Sequence, residues 1–206
     1  MTTATRSTRP PRRVKPAEER RRDLLDAAVL VFTERGVADT TVEELARTAG
    51  MSKGSFYLHF ATKEDLAAAA WARHMESFLD VGAQILSDET RTVAGRLVTV
   101  LEELTRFALD HGDVHRALYG TSGADAVKND VNERLIAMIA AAATAGVRAG
   151  VIAADGPELL ARALYHGYCG AATDAVAGAA DIDADELVRS AGMMTRAVFP
   201  GVDEVR

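Results

Sequence analysis

The chain is poor in thiols, aromatic rings, prolines and long apolar runs. Cys169 is the only cysteine among 206 residues. One thiol forms no internal disulfide, so nothing indicates an oxidising compartment. In its alanine-rich surroundings Cys169 reads as a small buried hydrophobe. Aromatic residues make up 5% of the chain, while alanine, the best helix former and a poor strand former, is abundant. Three of the five prolines, Pro10, Pro11 and Pro16, stand near the start. They break the amphipathic helix that an organelle transit peptide needs, and no apolar signal segment accompanies them. The longest apolar stretch, 136–147, is half alanine, lies between Arg134 and Arg148, and is too short to span a bilayer. These absences point to a cytoplasmic chain with no membrane partner and an all-α fold.

The net charge is −6, but it is unevenly placed. Residues 1–22 carry eight basic and two acidic side chains, whereas 76–206 carry eleven and twenty. Such asymmetry suggests a nucleic-acid-facing end. Residues 1–16 read as a flexible basic arm, solvated on its own and able to touch phosphates when DNA is near.

From Ala17 the pattern turns helical. Leu24, Ala28, Val31 and Phe32 share one face, and Gly36 stands where a terminating glycine belongs. Thr40 with Glu43, or Thr41 with Glu44, matches a capping box for a short second helix carrying Leu45 and Ala46. Ser52 is placed to cap a third helix with Phe56 and Phe60 on its inner side. Thr62 is placed to cap a long fourth helix reaching about residue 86. Further helices are expected over 90–109, 127–149, 157–177 and 185–199, with a short irregular element over 113–120 and a loop over 150–156. No hairpin and no internal repeat is evident.

The informative stretch is 40–60, TTVEELARTAGMSKGSFYLHF. Two short helices crossing steeply need a small residue at the crossing, a turn residue that tolerates positive φ, and an apolar anchor. Ala46, Gly50 and Phe56 supply these. The wider segment includes Leu24-Leu25-Asp26-Ala27-Ala28, Phe32, Gly36, Thr40-Thr41-Val42, Gly50-Met51-Ser52-Lys53-Gly54, Phe56-Tyr57-Leu58-His59-Phe60 and Thr62-Lys63-Glu64-Asp65-Leu66. It resembles the tetracycline-repressor (TetR) family of regulators. The resemblance runs from about Arg20 to Leu66 and rests on many points in one register.

That resemblance implies a helix-turn-helix DNA-binding domain over 17–65 and a larger helical ligand-binding and dimerisation domain over 66–206. It implies a homodimer, a double-stranded operator and a small-molecule inducer as partners, and no cofactor. The recognition helix would offer Lys53, Gly54, Ser55 and Tyr57 to the major groove. Lys53 would donate to guanine or phosphate, and Leu58 would pack on a thymine methyl. Thr41 and Ser52, at helix N-termini, are candidate phosphate clamps. Tyr57, His59 and Lys63 match positions that usually meet the DNA backbone. Phe56 and Phe60 belong to the core. Each of the exposed residues also has a plain structural reading as a cap or a solvated charge.

In the C-terminal part, Trp71, His74, Phe78, Phe107, Tyr119, Met138, Tyr165 and His166 are ligand-pocket candidates, although aromatic residues at helical spacing also build cores. Gly167, Gly170, Ala171 and Ala175 would let the dimer helices approach closely. The stretch His111-Gly112-Asp113-Val114-His115 has donors for a transition metal. Gly112 interrupts the helical spacing, so a solvated turn is expected and no metal is assigned. No nucleophile elbow, phosphate loop, zinc-helix motif or dinucleotide fingerprint is present. An all-helical enzyme, or an interaction protein without DNA binding, stays open as the alternative.

Deleting residues 1–16, which include five Lys or Arg, is expected to weaken binding to every duplex and flatten its salt dependence. An unchanged slope of log affinity against log salt would make the arm a passive tail.

Overall fold

The computed structural model describes residues 16–118, 125–178 and 181–201. The expected arm, apart from Pro16, and Tyr119 lie outside them. Among the described residues the chain is helical, with a single isolated bridge between Ile152 and Gly201. The helices are α1 (Ala17–Arg35), α2 (Val42–Thr48), α3 (Lys53–Phe56), α4 (Lys63–Ser87), α5 (Val93–Asp110), α6 (Gly112–Leu118), α7 (Asp125–Arg148), α8 (Pro157–Ala177) and α9 (Ala184–Val198).

Local chemistry sets most of the boundaries. Gly36 ends α1 at φ 77°, and its N–H donates to Phe32 O. Thr62 caps α4 by accepting from Asp65 N while the Asp65 carboxylate takes the Thr62 amide, a reciprocal box. Helix α5 starts three residues later than its periodicity suggests. Asp88 Oδ1 accepts from both the amide and the hydroxyl of Thr90, so that segment closes as a turn and Thr92 becomes the cap. Pro157 opens α8 after Gly156 at φ 64°, and Asp183 caps α9 by accepting from Glu186 N at 2.7 Å.

A helix stands where an irregular element was expected after Asp113. Gly112 is packed so closely against Val176 of α8 that a Cβ there would lie 2.8 Å from a valine methyl. This close approach lets α6 leave α5 at once as a regular helix. It also corrects the expectation of a solvated turn. His111 caps α5 at the surface, but His115 is 2% exposed. The His115 ring meets Trp71 edge-on at 5.3 Å.

One apolar cluster runs through the molecule. It begins with Leu24, Phe32, Leu45, Phe56 and Leu66, and continues through Trp71 and Phe78 of α4 to Leu97, Leu101, Leu135 and Ile139. It does not break at residue 65, because α4 belongs to both ends. Helix α4 packs on α1 at one end and on α5 and α7 further along. Arg73 of α4 bonds Asp26 of α1 at 2.8 Å, an exposed pair worth little by itself.

At the junction of α4, α5 and α6 three histidines meet. The His74 ring stacks on Phe107 at 4.6 Å and meets His111 at 5.1 Å. Thr173 gives its one hydroxyl proton to Cys169 O at 2.7 Å, so His115 Nδ1, 3.3 Å from the same oxygen, is the donor of that pair. Burial, reinforced by the nearby His111 and opposed by Asp113, lowers His74 from 6.5 to about 4. Burial and the adjacent His74 lower His115 to about 4. Burial pushes the Cys169 thiol up to about 12, which keeps it unreactive.

Both lowered imidazoles are neutral in the folded chain and regain their ordinary value on unfolding. Below about pH 6.5 the unfolded chain therefore binds more protons. Stability is full above that pH and falls as pH drops towards 4. Discounted for the partial exposure of His74, the loss from about pH 7.5 to about pH 5 is on the order of 2–4 kcal/mol beyond the carboxylate contribution. Chemical denaturation at the two values checks this, and His115→Asn is expected to lose clearly less stability than the parent. An equal loss in both proteins would contradict it.

Candidate nucleic-acid interface

The interface is built from α2, α3 and the turns that flank them. Of the two possible capping boxes, the structure uses the second. Thr41 Oγ1 accepts from Glu44 N at 3.3 Å, and the Glu44 carboxylate accepts the Thr41 amide at 3.1 Å. Thr40 is instead buried, and its hydroxyl donates to Gly36 O at 2.7 Å. The Thr41 backbone bond holds Glu44 below the usual carboxylate range. Gly50 closes the turn at φ 68°, a conformation that other L-residues rarely adopt.

Helix α3 is only four residues long, shorter than expected, and continues as a turn through His59. Ser52 caps it by accepting from Ser55 N at 3.2 Å. The burial pattern along it is sharp. Phe56 is 0% exposed and Phe60 is 7%, while Tyr57 is 51% and Leu58 is 82% exposed. Phe56 meets Tyr57 edge-on at 5.4 Å. The Phe60 ring is covered by the Arg21 guanidinium of α1 at 4.6 Å. Ser52, Lys53 and Gly54 are exposed, and Ser55 and His59 are half-buried. Thr41 is also exposed, at the start of α2.

Lys63 has a different setting. Its ammonium donates to Ala38 O and Thr40 O, each at 2.8 Å. It thus ties the start of α4 to the loop between α1 and α2. Two further contacts have no local signature in the sequence. The Lys53 ammonium bonds the Glu43 carboxylate of α2, and this bond lowers Glu43 and raises Lys53 relative to their ordinary values. Arg35 of α1 bonds Glu44 at 2.7 Å. Both join residues about ten apart on different helices, a spacing that no helical period marks.

The ligand candidates separate. Trp71, His74, Phe78, Phe107, Met138 and Tyr165 belong to or pack against the main cluster. Asn132 Oδ1 accepts from Tyr165 Oη at 2.8 Å and from Trp71 Nε1 at 3.4 Å. His74 Nε2 is buried and bonds nothing among the described residues. His166 is exposed, because one residue along a helix turns about 100° away from Tyr165. A groove of about 590 Å³ runs between α5 and α9 past Glu102, Arg189, Met193 and Arg196, and none of the ligand candidates lines it. Among the described residues no group of three or more His, Cys, Asp or Glu is placed to hold a metal ion, and no helix is long and apolar enough to cross a membrane.

Comparison with known proteins bears on this geometry. The family model described as bacterial regulatory proteins, tetR family, matches residues 24–70, the span from the core face of α1 into the first turns of α4. The HTH-type transcriptional regulator AcrR of Shigella flexneri is 32% identical over 90 residues, which cover 42% of this chain and 42% of that protein. The match therefore spans less than half of the relative's length. Among solved structures, a putative TetR-family transcriptional regulator from Mesorhizobium loti MAFF303099 superposes with a TM-score of 0.70 at 22% identity, covering 92% of this chain and all of that one. The transcriptional regulator FadR from Bacillus subtilis, in complex with stearoyl-CoA, superposes with a TM-score of 0.72 at 21% identity, covering 84% and 96%. The relatives matched are transcriptional regulators and not enzymes. Residues 24–70 thus match the model of the tetR family of bacterial regulatory proteins, and the fold of the chain is that of these two solved structures.

Proposed function

We propose that this protein is a cytoplasmic, ligand-responsive transcriptional repressor that binds a palindromic operator as a homodimer and leaves it when a small-molecule inducer binds residues 66–206. The observation that carries the reading is the outward face of α3. Its inner residue Phe56 is fully buried, while Lys53, Gly54, Tyr57 and Leu58 stand exposed beside the capped N-terminus of α2. A major groove admits such a helix, its lysine suits guanine or phosphate, and its leucine suits a thymine methyl. Thr41, Ser52 and His59 would meet the backbone, Ser55 would stand beside the base edges, and Lys63 would fix the loop that presents Thr41.

The dimer reading is supported by the outer faces of α8 and α9. Leu159, Met193 and Met194 are exposed, and a Cβ at Gly167 or Gly170 would meet nothing within 4 Å. Apolar side chains beside open glycines suit a close helix–helix contact between copies. The ligand reading is supported by the aromatic cluster around His74. It brings apolar rings beside a buried ring nitrogen that has no hydrogen-bond partner among the described residues. Helix α4 joins that cluster to the DNA-binding end, so a displacement there would change the spacing of the recognition helices. An inducer acts only through a difference in affinity for the two spacings.

Lys53→Ala and Tyr57→Ala are each expected to weaken binding to a duplex selected from random sequences by about 1–3 kcal/mol, the scale of a base contact. Helical content and thermal unfolding should be unchanged, since both side chains are exposed. Unaltered affinity in both variants would remove α3 as the recognition element.

A further inference from the structure

The recognition helix offers one lysine, and in the structure that lysine is not free. The Lys53 ammonium bonds the Glu43 carboxylate, which reaches across from the first turn of α2. Both side chains are exposed, at 52% and 59%, so the pair sits on the surface that faces DNA rather than inside the head. The neighbouring carboxylate, Glu44, is already used by the Thr41 cap and Arg35. Glu43 has no such duty. Apart from the Lys53 bond, its carboxylate takes only its own backbone amide, and the side chain is 59% exposed.

We propose that Glu43 is a specificity determinant, holding the Lys53 ammonium away from phosphates so that Lys53 is given up only to a matching base edge. The inference rests on the reading of α3 as the recognition element. Non-specific binding is driven by release of counterions as each cation neutralises a phosphate. A lysine already neutralised by a carboxylate contributes little to that process. Its carboxylate also repels the phosphates it approaches. A guanine edge differs, because O6 and N7 offer two acceptors in a fixed geometry. Exchange of Glu43 for guanine therefore keeps a charge-assisted bond, whereas exchange for a mobile phosphate gains little. Glu43 thus reduces affinity for random duplex more than affinity for the operator, and raises the ratio between them. Because it acts through Lys53, Glu43 is a positioning residue for the contact.

The test uses the full chain, a duplex selected from random sequences and a scrambled duplex of equal length, each titrated across a salt series. Glu43→Gln keeps the shape and removes the charge. It is expected to bind the scrambled duplex more tightly, to lower the ratio of selected to scrambled affinity, and to steepen the scrambled-duplex slope by about 0.9, one additional phosphate contact. In a Lys53→Gln background the same Glu43→Gln change is expected to leave that slope unaltered. A Glu43→Gln protein with the parent's slope and ratio would overturn the inference while leaving DNA binding by α3 intact. Equal steepening in both backgrounds would also overturn it, since Glu43 would then act by repulsion alone. Failure of the parent chain to bind either duplex in a salt-dependent way would overturn the recognition reading as well.

Discussion

Burial of the Phe56 ring is the contact on which the recognition surface depends. A helix of four residues cannot hold itself, because its few backbone bonds do not offset the cost of ordering it. Its place is set by Phe56, fully buried in the cluster that includes Leu24, Phe32, Leu45 and Ala46, and by Phe60 one turn on beneath Arg21. Losing such a ring from a packed core costs about 3–5 kcal/mol. Once Phe56 points inward, Tyr57 and Leu58, the next two residues, turn outward, and Lys53 stands exposed in the first turn. Function at this end therefore follows from a core contact rather than from the exposed residues alone.

The same cluster joins the two ends of the molecule. Leu66 and Trp71 lie one and two turns along α4, the first in the DNA-binding end and the second against the α6 and α7 side. Packed interiors do not deform smoothly. Under the proposed function, a shift of α4 near Trp71 and His74 would be carried along this helix towards its cap at Thr62. The three clustered histidines and the Asn132 bridge lie beside that helix, so polar groups are concentrated where a small molecule would have most leverage.

Much of this was legible in the sequence because it is governed by local rules. The second cap, Thr41 with Glu44, the positive-φ turn at Gly50, the Phe56 anchor and the Thr62 start of α4 depend on residues within a few positions of one another. The α5 start was misplaced where two local rules competed, and the turn at Asp88 took Thr90 before the helix did. Helix α6 and the burial of His115 were not legible. They depend on Gly112 meeting Val176, more than sixty residues away. The Glu43–Lys53 pair was hidden for the same reason, since the crossing of two helices brings it together. Choice among the aromatic candidates also needed the fold, which separates His166 from Tyr165.

In the proposed function α3 enters a major groove and a dimer places two such helices on one face of DNA. Methylation interference on a duplex selected from random sequences by this protein tests it most directly. The account expects methylated guanine N7 to block binding in two half-sites related by a two-fold axis, centred about 10–10.5 base pairs apart or a whole multiple of that spacing. Interference confined to minor-groove adenines, or a single site without a symmetric partner, would contradict it.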